Sequence, residues 1–241
     1  MNCIKSLKKI KNKFSLAFSK MRPDHNSTNI FNDIYRNKLW GESHHENRLF
    51  SGEGSHDLNL TEKYVKDLSS FLITLDSPSI LDLGCGDFEV GSKLLLFAGK
   101  YIAADVSSLV VEQNKIMFSD SGVKFIQLDA SVDELPIVDV IIIRQVLQHL
   151  SNYDIQNILN NINLSNAKYL CITEHLPIEN NFTPNIDKPT SVGIRLSLGS
   201  GVDIEKSPFT FFSKSSSELS NIETVAEGLK SRLITTLYVL E

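Results

Sequence analysis

The residues with the clearest chemical capacity lie in one stretch, Ile80-Leu81-Asp82-Leu83-Gly84-Cys85-Gly86-Asp87-Phe88-Glu89-Val90-Gly91. An apolar run meets a turn with two glycines, and a helix-like segment follows. Gly84 and Gly86 carry no side chain where a backbone must approach a ligand, and the next segment begins with free N–H groups. Such a turn serves any nucleotide-binding sheet, so its flanks must discriminate. The dinucleotide fingerprint places a third glycine three residues after the second, and Glu89 stands there. Asp82, two residues before the first glycine, suits a ligand bearing an ammonium group better than a pyrophosphate. Both features disfavour a nicotinamide-dependent oxidoreductase.

Two further acids end apolar runs. Asp105 follows Ile102-Ala103-Ala104, and Asp129 follows Phe125-Ile126-Gln127-Leu128. A carboxylate at the first position can accept hydrogen bonds from both ribose hydroxyls. Singly, each acid serves equally well as a helix N-cap. Three strand-end acids in register with one glycine turn favour a ligand pocket, since ligands gather at the carboxyl ends of such strands. A fourth run, Val138–Ile143, leads into Arg144-Gln145-Val146-Leu147-Gln148-His149-Leu150-Ser151. Gln145 is placed to line the pocket. His149 is a candidate general base, because imidazole titrates near neutrality; a histidine here equally packs beneath the loop, and both readings stand. A fifth run ends in Ile172-Thr173-Glu174-His175, which offers a second base or an orienting partner for His149. With Asp129 or Asp139 these groups also offer oxygen and nitrogen donors, but no spacing specific to a metal site is present.

The elements that must position these groups follow from the pattern. Strands are expected over Ile80–Leu83, Tyr101–Ala104, Val123–Leu128, Val138–Ile143 and Tyr169–Thr173, with helices over about 88–98, 107–118 and 152–163. Apolar runs without alternation, each followed by a crossover helix, indicate a parallel sheet covered on both faces. Right-handed crossovers make it a Rossmann-like, doubly wound α/β fold. Ahead of the sheet, Leu58 to Leu75 has helical spacing with Thr61 able to cap its start. Residues 176–207 break the rhythm with prolines and glycines and are expected as a lid loop. The tail, Glu223–Ala226 and Leu233–Leu240, reads as a closing antiparallel hairpin. The organisation is a basic segment 1–22, an entry segment and helix 23–75 covering the cofactor site, and a main domain 76–241.

Composition sets the outer bounds. With 241 residues, 41% hydrophobic and 22% charged, the chain suits one α/β domain with modest additions. Its cysteines, Cys3, Cys85 and Cys171, lie far apart without CxxC spacing, which fits a reducing cytoplasm rather than a disulfide framework. Seven of the 24 bases fall within residues 1–22, which hold no acid, so the remainder is strongly acidic. An acidic body argues against a broad nucleic-acid footprint. In the basic head, Ile4, Leu7, Ile10, Phe14, Phe18 and Met21 recur at helical steps between lysines. Such a helix can lie on an anionic inner membrane surface or pack on its own domain. No run reaches the ~20 apolar residues of a transmembrane span. Oligomeric state is not legible.

The stretch around Asp82-Leu83-Gly84-Cys85-Gly86 resembles the first motif of the class I S-adenosylmethionine-dependent methyltransferases, of the form hhDhGCGxG. Phe88 replaces its last glycine. The resemblance implies a loop passing under the methionyl part of the cofactor. It also implies that Asp129 holds the adenine amino group, and that Cys85, Val106, Ala130, Arg144 and Gln145 complete the cofactor's surroundings. A narrower likeness joins Tyr35, Trp40-Gly41 and Ser51-Gly52-Glu53-Gly54-Ser55 to Val146–Asn152, Thr173-Glu174-His175, Pro184-Asn185-Ile186-Asp187, Ile194-Arg195 and Ser200-Gly201-Val202. Together these resemble a bacterial and viral group of glycan O-methyltransferases, over about residues 31–210.

That likeness implies transfer of a methyl group to a hydroxyl of a sugar or glycan intermediate. A flap containing Ser51, Gly52 and Ser55 would close over the cofactor carboxylate. His149 or His175, with Glu174, would supply the catalytic groups. Tyr35, Trp40, Asn185 and Arg195 would contact the acceptor, Arg195 by pairing with a carboxylate or phosphate; a solvated loop arginine is the plainer alternative. Methylation of another small molecule or lipid precursor shares the same cofactor half. A non-catalytic binding module also remains open.

Overall fold

The computed structural model describes residues 27–43 and 48–240 of the chain. The basic segment 1–22, with its membrane-surface reading, lies outside them.

The sheet grows from the five apolar runs. β1 (Ser79–Leu83), β2 (Lys100–Asp105), β3 (Lys124–Gln127), β4 (Val140–Arg144) and β5 (Tyr169–Pro177) are mutually parallel. β7 (Leu229–Val239) pairs antiparallel with β5 and with β6 (Ser215–Ala226), giving the order β3-β2-β1-β4-β5-β7-β6. This is the Rossmann-like, mostly parallel sheet with an antiparallel C-terminal hairpin. The hairpin is much longer than its expected arms. Its polar, serine-rich outer strand hides the period: β6 is largely exposed. Glu227 and Gly228, both with positive φ, form the two-residue connection that matches strand twist.

Alternation within β1 shows why both faces are covered. Leu81 and Leu83 join an apolar cluster with Ile155, Ile158 and Leu159 of a helix, α5 (Asn152–Leu164). Ile80 joins the opposite cluster with Tyr64, Leu68 and Leu72 of another, α3 (Leu58–Ile73). The entry segment adds α1 (Ser27–Arg36) and the single turn α2 (Glu53–His56), and α4 (Ser108–Met117) follows β2.

Two local expectations are corrected. The segment after the glycine turn is a short 3-10 helix, Gly91–Phe97, rather than a helix over 88–98. Phe88 there has a positive φ and is fully buried against Tyr101, Phe118 and Phe125, so the chain turns inward before it can wind. Asp57, not Thr61, caps α3, accepting from the Asn59 N–H at 2.8 Å; Thr61 is buried one turn in. The stretch 176–207 is tied down along its length. β5 extends through Pro177, a 3-10 turn covers Arg195–Leu198, and Asn185 and Arg195 are buried within it.

Candidate active site

A cavity of about 760 Å³ opens at the carboxyl ends of β1, β2 and β4, where the crossovers diverge to either side of β1. Gly84, Cys85 and Gly86 form its floor. Gly84 (φ +74°) and Gly86 (φ +55°) occupy backbone conformations that side chains resist; a Cβ on Gly84 would stand 2.4 Å from Val146 Cγ2, and one on Gly86 2.4 Å from Ser51 Oγ. The turn is therefore pressed between β4's exit and the flap.

Asp105 holds this turn. One carboxylate oxygen accepts from the Gly86 N–H at 3.1 Å and the other from the Ser107 N–H at 2.9 Å. Burial raises Asp105 to about 6 against these donors. Asp82 receives the Tyr101 hydroxyl at 2.9 Å, and burial raises it likewise to about 6. Asp129 accepts from the Ser131 N–H and hydroxyl, and it lines the cavity with Val106 and Ala130. The three strand-end acids thus meet at one cavity.

The flap docks on the glycine turn through Asp87. The Ser51 N–H donates to Asp87 Oδ2 at 3.2 Å, and the Asp87 N–H donates to Ser51 Oγ at 2.6 Å. His56 Nε2 lies 2.7 Å from the same carboxylate, which raises the imidazole's pKa chiefly through that hydrogen bond. The Ser51 hydroxyl also meets Tyr35 Oη at 3.1 Å. Ser51 therefore fastens flap to turn, with both its N–H and its hydroxyl engaged, while Gly52 and Ser55 line the cavity directly. Asp87 and His56 escape sequence reasoning because 31 residues separate them and neither sits in a patterned run.

Arg144, ending β4, lies beneath the flap. Its Nη2 donates to the Gly54 carbonyl at 2.7 Å, and its guanidinium stands 5.1 Å over the Tyr64 ring. Next to it, Gln145 has φ +55°, an uncommon non-glycine conformation, and its Nε2 meets His175 Nε2 at 2.7 Å. His175 Nδ1 reaches Ser231 Oγ at 3.2 Å. Both ring nitrogens are thus engaged, and burial lowers the imidazole to about 4. His149 lines the same cavity. Burial, then Lys188, lowers it to about 4, and its Nδ1 has no hydrogen-bond partner. Trp40 packs 5.4 Å from it and edge-on to Tyr35 at 5.2 Å, with a buried Nε1 that also lacks a partner.

Three residues expected in the site stand outside the cavity. Glu174 accepts the Leu147 and Gln148 N–H groups at 2.8 and 3.1 Å; it holds the turn that carries His149 and touches no cavity surface. Burial raises it to about 8, opposed by those donors and by Arg195. Arg195 is 1% exposed and donates to the carbonyls of Ile186, Leu147, Gln148 and Leu150 and to Asn152 Oδ1. Its donors are spent inside the protein, which corrects the expectation that it meets the acceptor. Asn185, with φ +60°, caps the carbonyls of Asp203, Lys206 and Ser207 and is likewise a lid brace rather than an acceptor contact. A contributor absent from the sequence reading is the tip of the β6–β7 hairpin, where Val225, Ala226 and Glu227 form part of the wall.

Residues 81–163 match the family model described as a methyltransferase domain. No curated protein matches the sequence. Among solved structures, the N-methyltransferase NodS from Bradyrhizobium japonicum WM9, in complex with S-adenosyl-L-homocysteine, superposes with a TM-score of 0.62 at 12% identity, over 88% of this chain and 100% of that one. Magnesium protoporphyrin IX methyltransferase (ChlM) from Synechocystis PCC 6803 with bound SAM gives 0.52 at 15% identity, over 90% and 98%. The methyltransferase domain of bacterial CtHen1-CN gives 0.53 at 16%, over 75% and 100%. These likenesses are ones of fold.

The pocket's chemistry suits S-adenosylmethionine. Asp82 and Asp105 stand in a cavity where burial alone lifts both carboxyls, so an entering cation is favoured. The cofactor brings two positive groups, a sulfonium and an ammonium. The paired glycines leave its chain room to pass, and Asp105 retains lone pairs for ribose hydroxyls. Residues 81–163 thus carry a methyltransferase domain, in a methyltransferase-like fold whose pocket suits S-adenosylmethionine.

Proposed function

We propose that the enzyme transfers a methyl group to a hydroxyl of a sugar or glycan intermediate. The observation that carries this reading is the wall around His149: the Trp40 ring with its unpartnered Nε1, the neutral Gln145–His175 pair, and the lid residues Val192 and Ile194. An indole face for C–H groups combined with neutral hydrogen-bonding atoms suits a polyhydroxylated acceptor. Among the described residues Arg144 is the one Lys or Arg lining the cavity, which favours an uncharged acceptor over a phosphorylated one. The scattered cysteines and the basic segment 1–22 fit work in the cytoplasm at the inner membrane face, where such intermediates are assembled on lipid carriers.

When bound, the cofactor supplies a methyl group already activated by its sulfonium. The chain's own part is alignment and exclusion of water. His149, neutral at pH 7 and lining the cavity, is the group that takes the acceptor's hydroxyl proton. A base of pKa about 4 is weak, yet it suffices because the hydroxyl proton becomes strongly acidic as its oxygen gives up electron density. Glu174 acts one step removed, by fixing the turn that carries His149. His175 orients Gln145 at the wall.

The test is methyl transfer from labelled S-adenosylmethionine to a panel of neutral glycosides, sugar nucleotides, phenols and amines. Methylated glycosides, located by mass spectrometry at an oxygen, support the reading. Transfer confined to phenols or amines overturns it.

A further inference from the structure

The tip of the β6–β7 hairpin brings exposed hydrocarbon to the cavity. The last pair of β7 with β5 joins Ser231 to Pro177, so Leu229 and Lys230 run past the carboxyl end of β5. The sheet order sets β4 and β5 between this tip and the strands that carry Asp82 and Asp105. The tip therefore stands on the acceptor's side of the cavity. β6 is serine-rich and polar over its first half, yet it ends in Val225-Ala226 at the cavity wall. Most apolar side chains lining the cavity are buried or half-buried, but Leu39 and Val225 are 54% and 63% exposed. Leu229, opposite Ala226 across the hairpin, extends the apolar tip. Single exposed aliphatics on a free surface need no explanation. On the wall of a binding cavity they are surface that a ligand covers. This surface is continuous with the proposed base, since Trp40 follows Leu39 and packs on His149. Glu227 is the charge that the tip adds to the wall, which disfavours an acidic occupant.

We infer that the acceptor carries an uncharged hydrocarbon chain, and that Leu39, Val225 and Ala226 form the subsite along which this chain leaves the cavity. The inference deepens the sugar reading and rests on it for the group to which the chain is attached. It gives the hairpin a role as well: the two-residue turn at Glu227 and Gly228 holds the apolar end of β6 at the rim, where the long strands alone would present serine and threonine.

The experiment titrates the full chain, saturated with S-adenosylhomocysteine, with methyl β-glucoside and with octyl β-glucoside kept below its micelle concentration. Binding is read by calorimetry and by the emission of Trp40, the single tryptophan of the chain, which lines the cavity. Wild type is expected to bind the octyl compound roughly 10- to 100-fold more tightly, as burial of two or three methylenes gives. The double variant Leu39→Ser, Val225→Ser should lose most of that preference, whereas Val225→Ile, which keeps the wall apolar, should retain it. Equal affinity for the two glucosides in wild type would overturn the inference. So would an unchanged preference in the double variant, which would place the chain elsewhere on the protein. Equal loss of S-adenosylhomocysteine binding in that variant would make the tip a structural support and overturn it too. If the double variant fails to fold, the wild-type comparison still decides. Labelled methyl transfer to octyl glucoside in the same sample keeps the two claims apart: saturable binding at Trp40 without O-methylation supports the subsite and counts against the sugar reading alone.

Discussion

Replacing Arg195 by Met separates a brace from an acceptor contact. Arg195 makes five hydrogen bonds, four of them to backbone carbonyls, and it joins the lid at Ile186 to the turn Leu147–Leu150 that carries His149. Met fills similar space but donates nothing. Each buried acceptor left without a donor costs about 1–3 kcal/mol. Several of these carbonyls keep other partners: the Leu147 carbonyl still receives the Leu150 N–H, so the penalties do not add fully. The loss of a charge facing buried Glu174 adds to them. A total of roughly 3–5 kcal/mol follows, the range for breaking a buried ionic contact. For a chain of this length each kcal/mol moves Tm by about 2–4 °C, so a fall of roughly 6–20 °C is expected by calorimetry or circular dichroism. S-adenosylhomocysteine affinity should change little, because no Arg195 atom lines the cavity. Arg195→Lys should recover part of the loss. A variant with unchanged Tm and a raised acceptor KM would refute the reasoning and return Arg195 to the substrate.

Other consequences can be checked independently. His149→Gln should lower kcat by roughly 10²- to 10⁴-fold with S-adenosylhomocysteine binding intact; a smaller effect than His175→Gln would exchange their roles. The acid limb of kcat should lie near pH 4 rather than 6.5, since burial holds both imidazoles at about 4. The same shifts bear on stability: between about 6.5 and 4 the unfolded chain binds more protons, so the histidines' contribution is present above that window and lost as pH falls through it. Chemical denaturation at pH 5 and 7 should show a steeper dependence in wild type than in His149→Gln. Gly84→Ala, which places a Cβ at φ +74° against Val146, should weaken S-adenosylhomocysteine by roughly tenfold or more, read by calorimetry.

What was legible in the sequence is what short-range pattern encodes. β1 through β5 are dense apolar runs, and a parallel sheet buried on both faces admits little else, so the strand ends and Asp82, Asp105 and Asp129 follow from them. Phe88 misleads because an aromatic in a helix-like run reads as one face of a helix; its positive φ and its packing against three rings depend on β2, β3 and the segment after α4. Arg195 and Asn185 look like acceptor contacts in a polar loop. Nothing local announces that seven carbonyls, several from distant segments, fold around their side chains. Glu174 shows the opposite limit: its place on the fifth strand is readable, but its direction is not, and it points into a turn instead of the cavity.

The central claim is the cofactor pocket, and calorimetric titration with S-adenosylhomocysteine tests it most directly, run beside NAD and beside Asp105→Ala. Asp105 supports the Gly86 turn and faces the cavity, so its loss removes a brace and a carboxylate from the cavity wall. Micromolar binding of S-adenosylhomocysteine, none of NAD, and at least a tenfold loss in the variant are the results expected. A folded protein that binds NAD, or that binds S-adenosylhomocysteine equally well without Asp105, would contradict the pocket described above.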